Sequence, residues 1–375
     1  MKVIQIIPEL NAGGVELCTV ELAEYLKSRG HEALVVSNGG RLVARLERAG
    51  VRHVALPVHR KRPGALLQIA ALRRLFLKER PDIVHIGSRL PGWLAWLAVR
   101  SLPAGRRPRF FSTVHGFYTP HAYSGIMTRG ERVVAVSQGI ADYVVRNYPR
   151  VNQSRLHVVY NGVDTSSWSP DHAPSAEWRA AWRARLAEDA PEAASRRVIM
   201  LPARLTRWKG QEDFIKVIAR LVAAGEDVQG VLVGDAHPKK MGFRDELLSL
   251  TKSLGVGSHL TFLGHRSDMR DVMTAADIVC SFSLDPEAFG RVTLEALALG
   301  KPVVAYGHGG VKEQLEKLFP SGLVSPRDVV EATERIVRVL RSRPVPVPIT
   351  PRFTLEHSCS ATVDLYRELV LSARP

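Results

Sequence analysis

Two glutamates, Glu287 and Glu295, are separated by seven residues in D-P-E-A-F-G-R-V-T-L-E at 285–295. One follows an apolar run and the other falls early in a helical pattern, with Phe289-Gly290 turning the chain between them. Carboxylates so placed can accept hydrogen bonds from ribose or sugar hydroxyls; as ordinary helix-start acids they would simply interact with the dipole. Upstream, R-L-T-R-W-K-G at 204–210 sets Arg204 and Lys209 after another apolar run. A diphosphate there would gain charge-assisted hydrogen bonds of roughly 1.5–3 kcal/mol each, although a solvated loop has the same composition. N-A-G-G at 11–14 brings Gly13 and Gly14 to a helix start, where a backbone can approach an anion closely. It is not G-x-G-x-x-G, so a dinucleotide cofactor is disfavoured. Gly309-Gly310 with Glu313 is a second such start, and His115 closes a strand in V-H-G-F-Y; a tight turn and a structural histidine are the plain alternatives. No D-x-D and no C-x-x-C occurs, so no metal is expected.

These residues need elements to hold them. Candidate strands are Val3–Ile7, Ala33–Ser37, His53–Pro57, Ile83–Ile86, Phe110–Val114, Val133–Ser137 and His157–Tyr160. Amphipathic stretches at Glu16–Arg29, Leu66–Glu79 and Trp93–Arg100 lie between them. After a polar interruption the rhythm returns with Val198–Ala203, Val231–Gly234, Leu260–Gly264, Ile278–Phe282 and Pro302–Tyr306. Strands alternating with helices of this length read as βαβ units on parallel sheets. The expected organisation is therefore an α/β protein with two doubly wound, Rossmann-like domains facing a cleft, and a C-terminal helix. The domains are 1–166 and 198–345, with a linker region at 167–197 and a proline-rich segment plus helix at 346–375. Ligands of open α/β sheets bind beyond the carboxyl ends of the strands, which is where the candidate residues fall.

The chain has 375 residues, 45% hydrophobic and 24% charged, enough for full cores and too apolar for a disordered polyelectrolyte. Three scattered cysteines exclude a disulfide scaffold. With no secretory signal and no apolar run of membrane-spanning length, a cytoplasmic protein is expected. The net charge is +15, and residues 1–165 carry 24 Lys/Arg against 11 Asp/Glu, or +13. So local an excess points to a polyanion: nucleic acid, acidic lipid headgroups or a phosphorylated substrate.

Taken in order, G-G at 13–14, V-H-G at 114–116, V-S at 136–137, N-G-V-D at 161–164, R-x4-K-G at 204–210 and E-x7-E at 287–295 resemble the family 4 retaining glycosyltransferases of the GT-B fold. P-E-L-N-A-G-G-V-E and S-N-G-G-R-L-V-A-R-L are similar to bacterial members that build the lipopolysaccharide core. The resemblance implies that Glu295 holds the ribose of a UDP- or GDP-linked sugar and Glu287 a hydroxyl of the donor sugar. Arg204 and Lys209 would bind the diphosphate with help from the backbone at Gly13, Gly14, Phe289 and Gly290, and His115 would contact the sugar near its anomeric carbon. No cofactor and no metal are implied. Ala288 and Arg291 depart from the common pattern beside the donor sugar, which leaves its identity open.

The basic first half then suits a phosphorylated glycolipid acceptor on an anionic membrane surface, with Arg60, Lys61, Arg62 and Arg89 toward it and the protein peripheral to the inner face of the cytoplasmic membrane. Each cation near such a surface contributes about 1 kcal/mol. A soluble sugar acceptor is the alternative. Nucleic-acid binding, which a pI of about 10.1 invites, lacks basic segments interleaved with stacking aromatics.

Overall fold

The computed structural model describes residues 1–11, 13–60, 64–188, 190–236 and 242–372. The chain divides into two units, one formed by Met1–Gly162 with Leu355–Pro375 and the other by Val163–Thr354.

In the first unit the strands are β1 (Lys2–Ile6), β2 (Glu32–Ser37), β3 (Arg52–Ala55), β4 (Ile83–Ile86), β5 (Arg109–Val114), β6 (Arg132–Ala135) and β7 (Leu156–Val158). Between them run α1 (Gly14–Ser28), α2 (Val43–Arg48), α3 (Ala65–Glu79), α4 (Arg89–Arg100) and α5 (Gln138–Asn147). All pairings are parallel, in the order β3-β2-β1-β4-β5-β6-β7. Ile4 stands between Leu34 and Val84, so the order reverses direction between β1 and β4. The inner strands are buried almost throughout, as strands covered by helices on both faces must be.

The second unit opens with α6 (Ala176–Ala187), followed by β8 (Arg197–Pro202), α7 (Gln211–Ala223), β9 (Val228–Val233) and α8 (Gly242–Ser253). It continues through β10 (Leu260–Gly264), α9 (Met269–Thr274), β11 (Ile278–Ser281), α10 (Arg291–Ala298), β12 (Val303–Tyr306), α11 (Gly309–Leu318), β13 (Leu323–Val324) and α12 (Val329–Ser342). The sheet order is β10-β9-β8-β11-β12-β13, again parallel, with its reversal between β8 and β11. Each unit is thus a doubly wound, Rossmann-like sheet.

Three differences from the sequence reading have physical causes. Helix α4 begins at Arg89 rather than Trp93, with Ser88 before it. Pro91 falls in its first turn, where the amide it lacks would have had no helical partner. The two-residue β13 escaped notice because so short a strand carries no alternation. Residues 167–197, expected as a linker, pack within the second unit. There the Trp178 and Trp182 rings stack at 5.4 Å, Trp178 donates to Asp268 at 2.7 Å and His172 meets Asp271 at 2.6 Å.

The last helix, α13 (Leu355–Leu371), belongs to the first unit. Cys359, Val363, Tyr366 and Leu369 share a core with Val3, Leu26, Ile83 and Phe111. The Tyr366 hydroxyl is 2.7 Å from Nδ1 of His85, whose Nε2 is 2.8 Å from the Thr113 hydroxyl. Neutral imidazole suits this seam, since one nitrogen donates and the other accepts. Burial, with a smaller contribution from His115, holds the His85 pKa down at about 3. Among the described residues no helix is long and apolar enough to cross a membrane.

Because the folded His85 binds its proton only near pH 3 and the unfolded one near 6.5, the unfolded chain takes up a proton first as pH falls. Stability present above pH 6.5 should decline below it by about 1.4 kcal/mol per pH unit from this group. Denaturant midpoints between pH 7 and 4.5 should fall less steeply for His85→Gln than for the wild type. Parallel slopes would count against the assignment.

Candidate active site

Loops leaving β8, β11 and β12 meet at one end of the second sheet, because those strands are neighbours. The β8 loop can lie close to its neighbour only because residue 210 is glycine. Its φ is +74°, and a Cβ there would fall 1.9 Å from the Phe282 carbonyl oxygen. Leu284 N donates to the Trp208 carbonyl at 2.7 Å, tying the two loops by backbone. On the other side, Gly310 at the start of α11 donates its amide to the Glu287 carbonyl at 2.9 Å. A Cβ at Gly310 would lie 2.5 Å from the Phe289 Cα.

Side chains converge on this frame. Lys209 Nζ donates to Glu287 Oε1 at 2.8 Å, with the two side chains 16% and 17% exposed. Ser283 Oγ donates to the same oxygen at 2.5 Å, and His308 Nε2 lies 2.7 Å from the Ser283 carbonyl. Lys209 Nζ also sits 4.2 Å from the centre of the Trp208 indole, a favourable cation–π contact. Oε1 of Glu287 is therefore anchored by two donors, Lys209 and Ser283.

Phe289 is buried, and Gln314 donates to its carbonyl at 2.6 Å and to that of Gly290 at 3.3 Å. Gly290 has φ +90° and caps α10. Glu295, in the second turn of that helix, faces Arg291 at 3.5 Å; both side chains are mostly buried. Arg204 is exposed just past β8, its carbonyl accepting from the Gln211 amide at 2.9 Å. Among the described residues, Gln211 Oε1, Thr293 Oγ1 and Gln314 Oε1 are buried without partners. An unmet buried polar atom costs about 1–3 kcal/mol, and all three belong to residues flanking these loops.

The first-unit candidates are placed separately. Gly13 precedes and Gly14 begins α1, just beyond β1. The Glu16 carboxylate folds back on that turn, so that a Cβ at Gly13 would be 2.4 Å from its Oε2. His115 follows β5 directly, and burial lowers its pKa to about 4, leaving a neutral ring at pH 7. It lines a small cavity of about 50 Å³ in which Gln5, Thr19, His85, Asn161 and Ser358 stand among apolar side chains such as Leu22, Val134 and Val159. Arg89 is the first residue of α4 rather than a loop residue; its guanidinium lies 4.8 Å from the Tyr118 ring and 5.6 Å from Tyr123. Arg60 is exposed in the turn after β3, while Lys61 and Arg62 lie outside the described residues.

The structure thus brings Lys209 to Glu287, and sets Arg204, Phe289, Gly290 and Glu295 on the flanking loops and helix. Sequence reasoning missed Ser283 and His308. Their signal was position: each follows a strand by two residues, at the carboxyl end where ligands of open α/β sheets bind. Among the described residues no three His, Cys, Asp or Glu side chains gather as a metal site requires.

Residues 12–167 match the family model described as Glycosyltransferase Family 4, and residues 183–350 that of Glycosyl transferases group 1. The alpha-maltose-1-phosphate synthase of Mycolicibacterium smegmatis is 33% identical over 192 residues, 49% of this chain and 45% of that one. The match therefore spans about half of that relative's length. The phosphatidylinositol N-acetylglucosaminyltransferase GPI3 subunit of Saccharomyces cerevisiae is 23% identical over 355 residues, 88% of this chain and 73% of that one. Anabaena HepE, solved in complex with UDP and glucose, superposes with a TM-score of 0.77 at 23% identity, covering 98% of both chains.

Lys209→Ala should leave the half-buried Glu287 carboxylate without its cation and weaken binding of a nucleoside diphosphate about 10- to 100-fold, the range of one charge-assisted hydrogen bond. Ser283→Ala should have a smaller effect on the same affinity. Calorimetric titration with UDP checks both; equal affinity in all three proteins would remove the pair from the site.

Proposed function

Because the chain belongs to the glycosyltransferases, family 4 in its first part and group 1 in its second, we propose that it transfers a sugar from a UDP-linked donor to a hydroxyl of a phosphorylated membrane glycolipid. The donor end rests on one observation: Lys209 and Glu287, paired at 2.8 Å at the point where the second sheet reverses its order. Doubly wound sheets bind nucleotides at that point. The HepE complex supports a UDP-linked donor by its contents.

Chemically, the departing nucleoside diphosphate gains negative charge as the glycosidic bond breaks. Arg204 and Lys209, fixed beside it, stabilise that charge electrostatically. Glu287 accepts a hydroxyl of the sugar through the oxygen that Lys209 and Ser283 leave clear, and Glu295 accepts the ribose hydroxyls. The transfer proceeds with retention at the anomeric carbon and without a divalent metal, the cationic side chains carrying the charge. His115, neutral at pH 7, is able to hydrogen-bond a sugar hydroxyl without adding charge.

The acceptor reading draws on the excess of +13 in residues 1–165 and on the relative named for transfer to phosphatidylinositol. A lipopolysaccharide-core precursor at the inner face of the cytoplasmic membrane fits this chemistry. The relative named for maltose-1-phosphate synthesis favours a second reading, a soluble phosphorylated sugar as acceptor.

UDP-glucose should raise the melting temperature, and Glu295→Ala should lose most of that shift; a full shift in the variant would refute the ribose role. Product NMR should show the donor's anomeric configuration, and EDTA should leave the rate unchanged. Reversing the charges of Arg60, Lys61 and Arg62 together should reduce sedimentation with anionic liposomes and leave UDP-glucose affinity intact. Unchanged sedimentation favours the soluble acceptor.

A further inference from the structure

The connection from β5 to β6 passes from His115 to a groove that the proposed chemistry has not used. The groove has a volume of about 810 Å³ and is lined in part by Trp96, His121, Arg129, Tyr148, Arg150 and Arg155. No aspartate or glutamate lines it. Among the described residues none of its three arginines forms an ion pair, although carboxylates neutralise many other arginines on this chain, as at Arg45, Arg109, Arg197 and Arg207. Arg150 and Arg155 are exposed, and three positive charges are left uncompensated around one hollow.

Arg129 is held in a fixed orientation. Its guanidinium carbon lies 5.0 Å from the Trp93 ring and 4.8 Å from the Trp96 ring, and those two indoles meet edge to face at 84°. The Trp93 Nε1–H is anchored on the Tyr123 carbonyl at 2.9 Å. A guanidinium held over indole rings by cation–π contact keeps N–H donors available for a planar or tetrahedral oxyanion. Tyr148 adds a half-buried phenol whose ring lies 6.2 Å from that of Tyr143.

We propose that this groove binds an anionic saccharide, one bearing phosphate or carboxylate groups, at the end of the first sheet where β6 and β7 begin. Arg129 supplies a pre-oriented fork, Arg150 and Arg155 supply mobile cations at the rim, and the indole and phenol edges supply apolar surface for sugar rings. Sugar-free anionic surfaces and single-stranded nucleic acid share the charge but do not need a hollow of this kind.

The test titrates the full chain by calorimetry with a heparin-derived tetrasaccharide as the anionic glycan and maltotetraose as the neutral one. Sugar-free phosphatidylglycerol vesicles and a ten-residue oligothymidylate provide the other two arms. The tetrasaccharide should bind the wild type, more weakly as salt rises, and maltotetraose should not. Arg129→Gln/Arg150→Gln/Arg155→Gln should lose about tenfold in affinity, in line with three partly solvated ion contacts. The double variant Arg150→Gln/Arg155→Gln, which leaves the Trp–Arg stack untouched, should lose about threefold. UDP binding should be the same in all three proteins, which reports on the donor site independently. Absence of tetrasaccharide binding, equal binding by the variants, or tighter binding of vesicles or oligothymidylate than of the tetrasaccharide would each overturn the proposal.

Discussion

The ion pair between Lys209 and Glu287 is the constraint on which the second unit's site depends. It joins the loop after β8 to the loop after β11, across the place where the sheet reverses its order. Neither partner is fully solvated, so each needs the other: a half-buried charge that loses its partner costs more than the pair yields when formed. Everything near it serves to bring those loops together. Gly210 removes the Cβ that would strike the Phe282 carbonyl, and Gly310 clears the way for the Phe289 backbone. Ser283 and His308 then brace the glutamate from its own loop and from the helix start beside it.

The first unit handles its polar groups differently. Its buried seam of Tyr366, His85 and Thr113 is uncharged and fully hydrogen-bonded, which lets the C-terminal helix close over the sheet without burying an ion. His115 shares this character, kept neutral by burial at the end of β5. The positive charge of this unit is carried instead by its surface, where cations such as Arg129 are stacked on indoles rather than cancelled by acids. Fixed cations suit a diphosphate, neutral donors suit sugar hydroxyls, and uncompensated surface cations suit a larger anion.

Much of the architecture was legible because parallel strands buried on both faces leave continuous β-branched runs, as in Val3–Ile7 and Val198–Ala203. The helix carrying Arg89 was read four residues short because a proline in a first turn looks like a break unless one knows that the turn is a first turn. Residues 167–197 read as a linker because their order comes from distant partners, Asp268 and Asp271, that no local pattern reveals. Ser283 and His308 were overlooked for a related reason: a serine and a histidine in a loop acquire a role only through what stands next to them.

The amino-acid sequence alone determined the repeated strand–helix rhythm and which residues were chemically able to meet a phosphate or a sugar, since periodicity and side-chain chemistry are local properties. Which of those residues meet was decided by the tertiary structure. Lys209 and Glu287 are 78 positions apart, and they touch because β11 docks beside β8 while β9 and β10 are laid down on its other side. That order is set by the packing of helices on a whole sheet, which no stretch of the chain specifies by itself.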